Sequence, residues 1–269
     1  MKVDSLFHLD IHHVLQAAGE VALDRLAQAD PSTRFTMGIA QAQSAEIQAV
    51  EQVLFEGLQK LTPGVYLISE TGRTQGAVSD LRWSICPMDG ATNFLRGRFG
   101  FAISMTLSKG GEVCGAWIYD PARQSLAAVG NELPVQVNGF TPRLSRLLTM
   151  KGAIMALGGP ESGDSDGVTA YWQGVAQAQR WGMTVQRNDC AALDLLDLVS
   201  GAVDAVYFES TSYGSIQAGW HIATAARCSV SPIAHGQLLG SQVGILAAQP
   251  QIVDELVARW RTNPTLTPV

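Results

Sequence analysis

The sequence predicts an α+β half followed by an α/β half. Three observations carry this reading. Two opening segments have helical apolar spacing, and a run of short strand-like segments punctuated by turn residues follows them. Beyond about residue 140, strand-like and helix-like segments alternate.

Residues 10–28 set Ile11, Val14, Leu15, Ala18, Val21, Ala22 and Leu26 on one helical face. Residues 42–60 repeat the pattern with Ile47, Val50, Val53, Leu54 and Leu58, and stop before the turn Thr62-Pro63-Gly64. Strands are expected at 65–68 and at 81–86, the second alternating and ending at Pro87. Two more, at 99–107 and 112–119, flank the hairpin loop Ser108-Lys109-Gly110-Gly111, and another spans 125–129. In the second half, 153–157 is a strand and 166–179 a helix. A strand begins at Val185, a helix spans 191–200 and ends at Gly201, a strand spans 203–208, and a helix spans 219–227. The two halves, 1–139 and 140–269, meet near Asn138-Gly139.

The bulk properties fit this order. The chain has 269 residues, enough for one large unit or two packed halves. It is 46% hydrophobic and 16% charged, the reverse of a disordered composition. A net charge of -6 argues against a broad nucleic-acid-binding face, while leaving room for a local basic pocket. Nothing after Lys2 reads as a secretory signal, and no apolar run approaches the roughly 20 residues that cross a bilayer, so no membrane association is expected. Cys86, Cys114, Cys190 and Cys228 form no CxxC pair, which suits reduced thiols in a cytoplasmic protein.

The stretch with the most chemistry is Trp83-Ser-Ile-Cys-Pro-Met-Asp-Gly-Ala-Thr-Asn-Phe94. A strand ends at Cys86-Pro87, a tight turn follows, and a helix starts near Gly90. Glycine allows close approach to a ligand, and the free N–H groups of a helix start favour an anion. A carboxylate at Asp89, beside such a start, suits a divalent cation that also touches phosphate. The same residues also read as a plain strand-to-helix turn with Asp89 as its N-cap.

This segment resembles the Trp-x-x-Asp-Pro-Ile-Asp-Gly-Thr-Thr-Asn-Phe motif of the inositol monophosphatase family. It matches at Trp83, Pro87, Asp89, Gly90, Thr92, Asn93 and Phe94. Gly97 and Phe101-Ala102-Ile103-Ser104 continue the likeness. Ser69-Glu70-Thr71 is similar to the family's Gly-Glu-Glu segment, Tyr119-Asp120-Pro121 to its Tyr-Asp-Pro turn, and Val137-Asn138-Gly139 to its Leu-Asn-Gly. Ala191–Leu195 with Gly201, Asp204, Ala205 and Glu209 resembles its substrate-side helix and strand. Gly219-Trp220-His221-Ile222-Ala223 resembles its Trp-Asp-x-Ala-Ala-Gly.

The resemblance implies a layered αβαβα sandwich, often a homodimer. It also implies hydrolysis of small phosphate monoesters by water, with magnesium ions holding the phosphate and lowering the water's pKa. Glu70 would orient the metal-bound water, Asp89 would bridge metals, and Gly90, Ala91 and Thr92 would hold phosphate. Arg187 and Glu209 fall at substrate-side positions. The metal set would be Glu70, Cys86, the carbonyl of Met88, Asp89 and His221.

Several positions depart from the family pattern. Cys86 stands for an aspartate, Ala91 for a water-orienting threonine, and His221 for the aspartate after Trp220; Gln43 aligns with a further aspartate. With Cys86 and His221 neutral, two of four expected carboxylates remain. Thiol and imidazole substitute poorly around magnesium, which wants oxygen ligands in a near-octahedral array. Two readings follow. Either the site has decayed into a weak or non-catalytic binder of a phosphorylated ligand or partner, or Glu70, Cys86, Asp89 and His221 converge as a zinc or iron site. Elsewhere, Arg96 and Arg98 are surface arginines within reach of an acidic ligand, and His8, Asp10, His12 and His13 lie on an opening helix read as a solvated face.

Overall fold

The computed structural model describes residues 1–28, 45–145, 147, 149–159, 165–233 and 242–261. Two long helices come first, α1 (Ser5–Gln28) and α2 (Ala45–Leu61). Seven strands then form one sheet: β1 (Tyr66–Ser69), β2 (Thr74–Gln75), β3 (Leu81–Asp89), β4 (Ala102–Lys109), β5 (Glu112–Asp120), β6 (Ser125–Gly130) and β7 (Leu133–Val137). Their order is β2-β1-β3-β4-β5-β6-β7. Only the β1–β3 pair is parallel. A short helix, α3 (Ala91–Leu95), follows β3.

The second sheet contains β8 (Ile154–Leu157), β9 (Thr184–Gln186), β10 (Ala205–Ser212), β11 (Ser229–Ile233) and β12 (Gln242–Ala248). Its order is β11-β12-β10-β8-β9, with β8 parallel to both neighbours. Its helices are α4 (Ser165–Arg180), α5 (Ala191–Ser200), α6 (Tyr213–Ala225) and α7 (Pro250–Arg261).

Strand alternation builds the layers. One face of the first sheet carries Trp83, Ile85, Ile103, Met105, Leu107 and Trp117, which bury against α1 and α2. The opposite face carries small residues, Ala102, Ala116 and Ala127, which let α5 and α6 approach closely. Those two helices also cover Ala156, Val206, Ile245 and Ala247 of the second sheet. The far face of that sheet, with Met155, Leu157, Ala205 and Tyr207, packs on Tyr171 and Ala178 of α4 and on Ile252 and Leu256 of α7. The result is the αβαβα sandwich that the resemblance implied.

Two expectations are corrected. β3 does not stop at Pro87, because a bulge carries it on to Asp89: Cys86 pairs with Ser104 and Asp89 with Ala102, leaving one extra residue on β3. Pro87 has no N–H to donate, so a bulge accommodates it. α6 begins at Tyr213, not Gly219, so the segment before Trp220 is the first half of a helix.

Candidate functional site

The bulge in β3 places Asp89 at the corner between the sheets. Gly90, which follows it, has a left-handed backbone (φ 77°), and a Cβ there would overlap the carbonyl oxygen of Gly100. Gly90, not Asp89, occupies the N-cap of α3. Asn93 braces the turn by donating its Nδ2 to the carbonyls of Gly100 (2.8 Å) and Asn188 (2.7 Å).

The carboxylate of Asp89 instead reaches the start of α5. The Ala192 N–H donates to Asp89 Oδ2 at 2.7 Å, and the Cys190 thiol lies 3.4 Å from the same oxygen. Cys190 is the N-cap of α5 but makes no side-chain cap of its own. Asp89 therefore supplies the acceptor that the helix start lacks.

Glu70, just past β1, stands at the start of α6 in a similar way. Its own N–H donates to Ile85 O at 3.0 Å, which fixes it beside β3. Its Oε1 accepts the hydroxyl of Ser212, the N-cap of α6. A Cβ on Gly214 would collide with the Glu70 carboxylate, so the first turn of α6 lies against it. One turn in, buried Ser215 hydrogen-bonds toward both Cys86 and Asp89.

Electrostatics follow from this packing. Burial, then the charges of Glu70 and Asp89, push the Cys86 thiol well up, so it is a neutral S–H at physiological pH. Burial raises Asp89 to about 6; the Ala192 N–H opposes the rise and the Glu70 charge adds to it. Burial also drives the Cys190 thiol well up, with Asp89 adding to the effect.

The sequence-predicted residues do not all gather in one place. Glu70, Cys86, Asp89 and the Gly90–Ala91–Thr92 turn gather at the corner. The Met88 side chain packs into the first core. Arg187 stands apart on an exposed loop, its Nε 2.6 Å from Asp189 and its guanidinium over the Tyr171 ring at 5.4 Å. Arg96 and Arg98 are exposed. Gln43 and the Glu209 side chain lie outside the described residues.

His221 does not join the corner. It is six residues beyond Ser215 on the same helix, about 9 Å along the axis and turned about 240°. Burial lowers its pKa while Glu112 pulls it up. Glu70, Cys86 and Asp89 meet at the corner without His221, and among the described residues no group of three or more His, Cys, Asp or Glu is placed to hold a metal ion, so the zinc or iron set that included His221 is not assembled. His8 also departs from expectation: it is buried and accepts the Trp117 Nε1–H at 3.2 Å.

Ser212, Gly214, Ser215 and Cys190 join the corner although no sequence motif marks them. The available signal was Ser212, a helix-start residue two positions before Gly214; the glycines at 214 and 219 masked the helical pattern around it.

The layers and the strand–turn–helix corner define a phosphatase-type αβαβα sandwich. The chain belongs to the inositol monophosphatase family, which it matches over residues 4–264. It is 29% identical to the Nus factor SuhB of Escherichia coli (strain K12) over 215 residues, covering 80% of each chain. It is 30% identical to the inositol-1-monophosphatase of Mesorhizobium japonicum over 189 residues, covering 70% of each. Its fold is similar to the crystal structure of the extragenic suppressor protein suhB from Bartonella henselae, with a TM-score of 0.79 at 21% identity over 92% of this chain and 95% of that one.

Proposed function

We propose that this chain binds a small phosphorylated molecule at the Asp89–Thr92 turn and hydrolyses it with magnesium weakly or not at all. The observation that carries this reading is the chemistry of the corner. Two carboxylates face a neutral buried thiol at Cys86 and hydroxyls at Ser212 and Ser215. Both carboxylates already accept hydrogen bonds from the protein. Such a set does not fit magnesium, the cofactor on which the family generally depends, because too few anionic oxygens remain free to coordinate it. Ala91 also lacks the hydroxyl that would orient a water.

The ligand side supports retention of binding. Gly90 keeps the left-handed turn, Asn93 braces it, and Thr92 follows at the start of α3. Arg187 and Glu209 are assigned to the substrate side. A homodimer in the cytoplasm, with no nucleic-acid or membrane partner, completes the reading. Several relatives carry the name Nus factor, and a non-catalytic role toward a protein partner is the second outcome that the same corner chemistry favours.

The test pairs two measurements on the full chain. Calorimetry with inositol monophosphate reports binding, and phosphate release with magnesium, manganese, zinc or ferrous iron reports turnover. Binding without appreciable release is expected. Turnover at ordinary family rates with magnesium overturns the reading, and absence of binding leaves the partner role in its place.

A further inference from the structure

The two carboxylates left at the corner share a placement that metal ligation does not require. Each lies at the N-terminal end of one of the two helices sandwiched between the sheets. Asp89 accepts the Ala192 N–H at the start of α5, and Glu70 accepts the Ser212 hydroxyl at the start of α6. Neither N-cap residue caps its own helix with its side chain. Ser212 directs its hydroxyl outward to Glu70, and the Cys190 thiol turns to Asp89. At α6 the approach is close: a Cβ at position 214 would meet the end of the Glu70 side chain, which would have to move aside. The exposed N–H groups of a helix start carry partial positive charge, and an anion there is stabilising.

We propose that Glu70 serves as an N-terminal anchor of α6 and that the helix end, together with Ser212, takes over the counter-charge role of a divalent cation. The inference rests on the reading of the corner as a poor magnesium site and adds to it a positive role for the retained glutamate. Glu70 is then a positioning residue. It ties the segment after β1, in the first sheet, to the helix that packs between both sheets. Asp89 makes the matching tie to α5.

Opposite signs separate this role from a plain ligand role. If Glu70 were only a ligand awaiting its cation, removing it in chelator would relieve repulsion with Asp89 and leave the melting temperature unchanged or higher. If it anchors α6, removing it lowers the melting temperature, with or without magnesium. Thermal unfolding of the full chain in EDTA and in millimolar magnesium is the measurement, on wild type, Glu70→Ala, Glu70→Gln and Ser212→Ala. Wild type is expected to melt at the same temperature in both buffers. Glu70→Ala is expected to melt about 2–4 °C lower in both. Ser212→Ala should show a smaller drop, and Glu70→Gln, which keeps an acceptor for the hydroxyl, should fall between wild type and Glu70→Ala. A Glu70→Ala protein as stable as wild type in EDTA overturns the anchor. So does an unchanged Ser212→Ala, the variant that decides the matter if Glu70→Ala does not fold. A wild-type melting temperature raised by magnesium overturns the reading of the corner instead, while a Glu70→Ala loss in EDTA still upholds the anchor.

Discussion

The N–H of Ala192 donates to Oδ2 of Asp89 at 2.7 Å, joining residues 103 positions apart in the chain. This bond ties the last residue of β3 to the first turn of α5, joining the phosphate-type turn to the central helix layer.

Carboxylates restored where the structure gathers the corner should recover cation binding. Cys86→Asp with Ser215→Asp is expected to produce a magnesium-induced rise in melting temperature and magnesium-dependent phosphate release. Cys86→Asp with His221→Asp should do neither, because His221 faces away toward Glu112. Equal gains from both pairs would refute the assignment of Ser215 to the corner.

Gly90→Ala should be severe. Its backbone is left-handed (φ 77°) and its Cβ would overlap the Gly100 carbonyl, while Cys190 Cβ stands 3.1 Å away. A loss of at least about 2 kcal/mol, or failure to fold, is expected. Urea unfolding followed by circular dichroism measures it, and a stability within experimental error of wild type would contradict the geometry.

Arg123 spans the two halves. Its side chain pairs with Asp120 at the end of β5 and, at 2.6 Å, with Asp197 on α5. Both carboxylates are largely buried while the arginine is 47% exposed, so solvent screens part of the attraction. Arg123→Ala should cost about 1–2 kcal/mol in urea unfolding, chiefly because it strands buried acceptors. A neutral effect would show that water replaces the guanidinium fully.

Asp194 gives a pH signature. Burial raises it to about 8, with the Asn188 amide at 2.7 Å opposing the rise. The folded state thus holds this proton more tightly than the unfolded chain, whose aspartate titrates near about 4. Its contribution to stability is full below about 4, is lost as pH rises toward about 8, and is level above that. Asp194→Asn should flatten the pH dependence of the urea midpoint between pH values of about 5 and about 8. An identical slope in the variant would place the titration elsewhere.

Local signals made much of the fold legible. α5 was readable as 191–200 because Ala and Leu cover its faces and Gly201 ends it with a left-handed backbone (φ 79°). Glu70, Cys86 and Asp89 were found through the resemblance, and all three meet at the corner. The start of α6 was missed because Gly214 and Gly219 break the helical pattern. Each has a tertiary reason to be glycine: Gly214 clears Glu70, and Gly219 clears Leu195 on α5. The strand continuing through Pro87 was missed because a bulge is a property of the pair, visible only against β4. The last strand β12 and the Asp89–Ala192 tie likewise depend on distant partners, whereas β7 closes a local hairpin with β6.

The neutral thiol of Cys86 also bears on how a cation site could be built here. It sits buried between Glu70 and Asp89, with Ser212 already holding one of those carboxylates. A single substitution to aspartate at 86 adds a third negative charge beside Glu70 and Asp89 with no cation to balance it. A lone aspartate at 215 does the same from the helix side. On the proposed reading, a cation site here would have to be built by carboxylates at 86 and 215 together, since either one alone only crowds negative charge beside Glu70 and Asp89.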